Sequence, residues 1–221
     1  MCSSDLLTAE AILLCESDGT AEEVEEEIGR MTAVLEQAGA TRIEVSTSEA
    51  QRLKFWSGRK NAFPASGRIS PDDMCMDSTI PRKRLADILI AIAAMEVKYG
   101  LRCCNVFHAG DGNLHPLILF DAADPDQLHR CELFGADILE TSVALGGTVT
   151  GEHGVGVEKL NSMCVQFAPA EREQMLALKR AFDPLELLNP GKVIPTLVRC
   201  AEYGKMHVKR GLLPHPELPR F

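Results

Sequence analysis

Apolar residues recur along this chain at strand spacing and at helix spacing in alternation, which predicts an α+β fold. Residues 11–15, Ala-Ile-Leu-Leu-Cys, form a short apolar run read as a strand, and Thr20 followed three positions later by Glu23 fits a helix-opening capping box. Val24, Ile28, Met31, Leu35 and Ala38 then recur at steps of four and three up to Gly39, which describes one buried helical face. Residues 42–46, Arg-Ile-Glu-Val-Ser, alternate like a half-buried strand, and a short helix is expected over about residues 48–56.

The stretch 63–73, rich in Gly, Ser and Pro, reads as a loop, and residues 75–80 resume a strand. Pro81 opens a helix that turns Leu85, Ile88, Leu89, Ile92 and Met95 inward and ends at Gly100. Strands over 102–107 and 114–120 bracket a turn that carries His108 and His115. Asp124-Pro125 opens the next helix, with Leu128, Phe134, Ile138 and Val143 on its apolar side, and Gly146-Gly147 stops it before a short strand at 148–150. A last helix spans 169–182, and after Ile194 the pattern gives way to a segment with Pro195, Pro214, Pro216 and Pro219. The two strand-helix-strand stretches suggest a sheet layered by helices, weakly duplicated, in one domain over 1–195 with an extended tail over 196–221.

Charge removes one class of partner. With 23 basic and 32 acidic residues the formal charge is 23 − 32 = −9, which argues against a nucleic-acid surface. No apolar run approaches the roughly 20 residues that span a bilayer, and Met1-Cys-Ser-Ser-Asp has neither the basic nor the apolar region of a secretion signal, so a cytoplasmic protein is expected. The acidic run 22–27 is a solvated helix start favoured by the backbone dipole. Eight cysteines are dilute in 221 residues and form no Cys-x-x-Cys, so they are expected to stay thiols; adjacent Cys103 and Cys104 read as small apolar residues on a buried strand.

Chemistry gathers in two glycine-rich segments. Residues 108–115 read His-Ala-Gly-Asp-Gly-Asn-Leu-His, and residues 151–156 read Gly-Glu-His-Gly-Val-Gly. Glycines permit turns and close approaches that aim short polar side chains at one point. His108, His115 and Glu152 offer neutral nitrogen and carboxylate oxygen, a donor set that suits zinc, iron or manganese and leaves a coordination position open. His153, adjacent to Glu152 and pointing elsewhere if the two side chains diverge, is then free to act as a base. A histidine pair at this spacing is by itself usually unrelated, and His153 also reads as a hydrogen-bonded loop histidine; the Glu-His pair in a second glycine loop strengthens the metal reading.

Together with Leu188-Asn-Pro-Gly-Lys192, these two loops resemble the C-terminal domain of the flavin-linked 2-hydroxy-acid oxidoreductases, the family that holds D-lactate and D-2-hydroxyglutarate dehydrogenases. The resemblance runs from roughly Leu6 to Pro195. Residues 55–60 (Phe-Trp-Ser-Gly-Arg-Lys), 67–71 (Gly-Arg-Ile-Ser-Pro) and the tail around 199–204 and 214–221 resemble more narrowly the glycolate-oxidising branch. The resemblance implies an antiparallel, ferredoxin-like duplicated cap domain with a small C-terminal helical segment. It also implies oxidation of a small 2-hydroxy acid such as glycolate to glyoxylate, with hydride passing to FAD. In this family a separate N-terminal domain holds most of the FAD, and no Gly-x-Gly-x-x-Gly fingerprint occurs here, so a fragment or one half of a split enzyme, inactive alone, is expected.

Residue by residue, the resemblance makes His108, His115 and Glu152 the ligands of a divalent metal that binds substrate oxygens, and His153 the base. It makes Arg59 the clamp for the substrate carboxylate, where a planar fork suits a bidentate pair, and places Asn189 near the flavin. A surface ion pair for Arg59 and a helix-ending turn for Asn189 are the plainer alternatives. Relatives acting on larger diacids carry extra polar groups where this chain has Phe63, Cys75 and Leu117, which points to a small monoacid. The implied partners are further oxidase subunits, including an iron-sulfur subunit, with the tail as docking arm and attachment to the inner membrane through those partners. A free-standing metallohydrolase and a non-catalytic assembly module are the rival classes.

Overall fold

The computed structural model describes residues 9–195, and its main sheet is built around one short strand. Every residue of β5 (Pro116–Phe120) is buried, as suits the central strand of a sheet enclosed on both faces. It pairs antiparallel with β1 (Asp72–Cys75), aligning Cys75 with Leu117, and with β3 (Arg102–Asn105), aligning Cys104 with the same Leu117. The sheet order is therefore β1-β5-β3. A second antiparallel pair, β2 (Ser78–Thr79) with β4 (Asn113–Leu114), continues from the ends of β1 and β5, and an isolated bridge joins Thr79 to Thr148.

Two helices pack on this sheet. In α4 (Leu85–Tyr99), Ile88 and Ile92 are buried, and Gly100 caps the helix at φ +61°, a left-handed conformation that glycine adopts without steric cost. In α5 (Pro125–Ala144), Cys131, Phe134, Ile138 and Leu139 are buried, and Asp124 caps the N-terminus by accepting from the Asp126 and Gln127 N–H groups. Phe134 stacks on Tyr99 with ring centroids 5.4 Å apart. Successive strand residues face opposite sides, so Ile118 and Phe120 join the core under the helices, whereas Leu117 and Leu119 point the other way. The face away from α4 and α5 is thus left for chemistry.

The chain divides into two compact units, residues 1–65 and 66–221, and the sheet and its helices belong to the second. That unit also holds α6 (Met163–Gln166) and α7 (Pro169–Phe182), the latter with the bounds its apolar spacing predicts. The first unit contributes α1 (Ala21–Gln37), opened by the expected Thr20/Glu23 capping box, and α2 (Glu49–Lys60), capped by Ser48. The loop expected over 63–73 instead contains α3 (Ala62–Ser66) and the start of β1.

Two expected strands are corrected. Residues 11–15 and 42–46 form neither strand nor helix, and Ile12, Leu13 and Val45 are exposed. An alternating pattern records a surface suited to a sheet, but strand structure also needs a ladder partner, and among the described residues none pairs with either segment. The face of α1 is likewise half-buried rather than buried. Of the duplicated strand-helix-strand stretches, the second forms a sheet and the first does not. Cys15, Cys75, Cys103, Cys104 and Cys131 are thiols as expected, whereas Cys164 is disulfide-bonded. The extended tail at 196–221 lies outside the described residues.

Because Phe134 is fully buried against Tyr99, Phe134→Ala is expected to cost about 3–5 kcal/mol through lost transfer energy and a residual cavity. Denaturant unfolding of the two chains, followed by circular dichroism, measures it.

Candidate functional site

The first glycine loop is a tight turn held at both ends. The His108 N–H donates to Asn113 O at 2.9 Å, the Gly112 N–H donates back to His108 O at 3.1 Å, and Gly112 sits at φ +75°. A Cβ on Gly112 would lie 2.2 Å from Ile80 O, so only glycine lets the turn press against β2. The strand that leaves the turn carries His115 into the interior, where its side chain is 3% exposed.

The second loop meets His115 there. Glu152 Oε1 lies 2.8 Å from His115 Nε2 and 3.7 Å from His153 Nε2. The His115 and His153 rings are stacked, with centroids 4.9 Å apart and planes 22° from parallel. His108 is exposed and stands edge-on to His115 at 5.5 Å between centroids. The tight donor group, with all atoms within 4.8 Å of one another, comprises Asp77, His115, Glu152 and His153. Burial lowers the pKa of His115, opposed by the Glu152 charge, which favours the neutral imidazole that ligates metals. Cys75 Sγ lies 3.9 Å from His115 Nδ1, and burial pushes its thiol up to about 11, so it stays protonated at neutral pH.

These residues fit a divalent cation. Imidazole nitrogen and carboxylate oxygen converge from two loops, and beside them Asn113 Oδ1 is buried with no hydrogen-bond partner among the described residues. A buried acceptor of that kind is satisfied by a cation, a water or a substrate hydroxyl. Gly151 is packed against the same acceptor: a Cβ there would sit 2.0 Å from Asn113 Oδ1 and 2.8 Å from Asp77 Oδ1.

Residues 3–193 match the model of the family described as FAD linked oxidases, C-terminal domain. The chain belongs to that family. It is 58% identical over 213 residues to the glycolate oxidase subunit GlcD of Escherichia coli (strain K12), covering 96% of this chain and 43% of that protein. It is 37% identical over 186 residues to GlcD of Bacillus subtilis (strain 168), covering 84% and 40%. To the probable mitochondrial D-lactate dehydrogenase of Danio rerio it is 30% identical over 184 residues, covering 82% and 37%. The chain spans less than half the length of these relatives. No helix among the described residues is long and apolar enough to cross a membrane.

Of the site residues read from the sequence, His115, Glu152 and His153 come together, with His108 adjacent. Arg59 lies in α2, half-buried, within the first compact unit. Asn189 occupies a left-handed turn at φ +47° after α7, exposed, and accepts from Lys192 Nζ at 3.0 Å. The sequence reading missed Asp77 and Lys159. Asp77 is fully buried, and its carboxylate accepts from the Thr150 hydroxyl, from the Gly151, Glu152 and His153 N–H groups, and from Lys159 Nζ. Burial works against its charge, but the Thr150, Glu152 and Gly151 hydrogen bonds and the Lys159 ammonium outweigh it and hold its pKa far below the usual carboxylate range. The signal available in the sequence was an isolated Asp in an apolar strand ending at Ile80, a place where acid is rare unless paired.

Two outcomes follow from this packing. Gly151→Ala is expected to destabilise the chain by about 1–3 kcal/mol, since the new methyl displaces Asn113 or Asp77; thermal melting checks it. A carboxylate with a depressed folded-state pKa stabilises fully above its unfolded value of about 3.9 and loses that contribution as pH falls toward the folded value. Melting temperature should therefore begin to fall below about pH 6.5, where the unfolded chain protonates His115 more readily than the folded one, and fall further below about pH 4 as Asp77 loses its contribution.

Proposed function

We propose that this chain is the substrate-binding part of an FAD-dependent 2-hydroxy-acid oxidoreductase, with glycolate oxidised to glyoxylate as the reaction. The observation that carries the reading is the convergence of His115, Glu152 and His153 from two glycine loops in a member of the FAD-linked oxidase family. The high identity to glycolate oxidase subunits favours glycolate over D-lactate. Because the relatives are more than twice as long, the flavin is assigned chiefly to a part of the enzyme beyond this chain.

In this reading His108, His115 and Glu152 hold a divalent metal, zinc, iron or manganese. Such an ion, when bound, supplies Lewis acidity that lowers the pKa of a substrate hydroxyl; FAD, when bound, accepts hydride from the α-carbon. His153, half exposed at the mouth of the cluster, takes the hydroxyl proton on an imidazole nitrogen. Arg59 clamps the substrate carboxylate through its planar fork, and Asn189 lies against the flavin. Buried Leu117 and partly buried Cys75 leave a small, uncharged wall that suits a monoacid. Other oxidase subunits, one of them an iron-sulfur subunit, take the electrons onward, in the cytoplasm and at the inner membrane.

One geometric detail favours a second ligand set. The tight donor group contains His153 and not His108, so His115, Glu152 and His153 are the competing triad.

The two sets separate on substitution. With the chain supplied to a flavin-bearing partner and an acceptor dye, His153→Asn is expected to abolish glycolate oxidation while metal content by elemental analysis holds, and His108→Ala is expected to lose both. Metal loss in His153→Asn with retention in His108→Ala assigns the competing triad. Hydrolysis by the chain without flavin, or undiminished oxidation in both variants, overturns the proposal.

A further inference from the structure

We propose that Asp77 is the positioning residue that joins the two glycine loops into one metal-binding site; this rests on the metal reading above. Its backbone is fixed to the strand that carries His115. On one side Met76 N–H donates to Pro116 O at 3.0 Å, and on the other Ser78 aligns with Leu114, so Asp77 is held opposite His115 itself. Its side chain reaches the second loop. Oδ2 accepts from the Gly151 N–H at 2.8 Å and the His153 N–H at 3.1 Å, and Oδ1 accepts from the Glu152 N–H at 3.0 Å. The Thr150 hydroxyl adds a bond of 2.7 Å to Oδ2. Four successive residues of the loop are thus gathered by one carboxylate.

The same carboxylate faces His115. Asp77 Oδ1 lies 4.0 Å from His115 Nδ1, while Nε2 of that ring is turned to Glu152. That separation is beyond hydrogen-bond reach, so the carboxylate acts on the ring through its charge and on the site through the loop it holds; losing an outer partner of a metal site typically weakens metal affinity about 10- to 100-fold. Lys159 completes the arrangement: 3% exposed, it donates to the Asp77 backbone oxygen and, at 3.1 Å, to Oδ2. The ammonium balances a charge that would otherwise be costly to bury. Asp77 belongs to the same donor cluster, but its carboxylate is occupied by the loop and by Lys159, so the unit fixes the separation between His115 and Glu152 from behind them.

A purely structural ion pair makes a different prediction, and the pair can be removed without leaving a lone buried charge. In the full 221-residue chain, Asp77→Asn alone strands the Lys159 charge and is expected to lower the melting temperature; Asp77→Asn combined with Lys159→Met is expected to recover most of that loss. Zn2+ affinity, by competition with a chromogenic chelator, is expected to fall about 10- to 100-fold in the double variant despite its recovered stability. A core variant, Ile138→Val, should lose stability and keep its Zn2+ affinity. A double variant that binds Zn2+ as tightly as the parent overturns the inference. If the parent takes up no Zn2+, the metal reading fails instead, and Asp77 is judged by amide hydrogen exchange in the double variant. At least tenfold faster exchange at Gly151, Glu152 and His153, with Ile118 unchanged, upholds its hold on the loop; unchanged exchange at all four overturns it.

Discussion

Burying an ionised carboxylate is among the most expensive things a small domain can do, and Asp77 is buried completely. The cost is offset because five donors surround the carboxylate: a hydroxyl, three consecutive backbone N–H groups, and the Lys159 ammonium. Those donors belong to a segment that otherwise has almost no regular structure, since residues 151–162 contain neither helix nor strand. The segment is ordered by the charge it surrounds. Because the charge itself projects from the short link between β1 and β2, which stays in register with the chain around His115, the sheet dictates where Glu152 and His153 stand.

Division of the two sheet faces follows from strand alternation. Leu114, Ile118 and Phe120 join the helix-covered core with Phe134 and Ile138, while Leu117 and the ring of His115 belong with Cys75 on the other side. One face therefore supplies stability and the opposite face supplies donors. Glycine is required where backbone meets backbone or a site side chain: Gly112 against Ile80 O, and Gly151 against Asn113 Oδ1. His115, Glu152 and His153 converge on this face.

Much of the second unit could be read from spacing alone. The helices at Leu85–Tyr99, Pro125–Ala144 and Pro169–Phe182 have local start and stop signals, Gly100, Asp124-Pro125 and Pro169 among them, and these act within a few residues of where they stand. The first unit was less legible. Its apolar runs at 11–15 and 42–46 have strand composition, yet a strand is defined by a neighbour, and alternation cannot say whether one is present. The cluster around His115 was half legible: glycine loops marked His115, Glu152 and His153, whereas Asp77 stood out only as an isolated acid in an apolar strand, with no glycine loop to tie it to them.

The sequence by itself determined the helices, their caps and the two glycine loops, because propensities, caps and turns depend on residues only a few positions apart. Tertiary structure alone decided that the loops form one site. The bonds that bring it about join Asp77 to residues 150–153, separations of 73 to 76 positions, and so distant a pairing exists only once β1, β2 and β5 have brought those segments together. The same step decided that His153 stacks on His115 while His108 stands at the edge, since the orientation of a ring is set by what packs around it and not by the spacing of histidines along the chain.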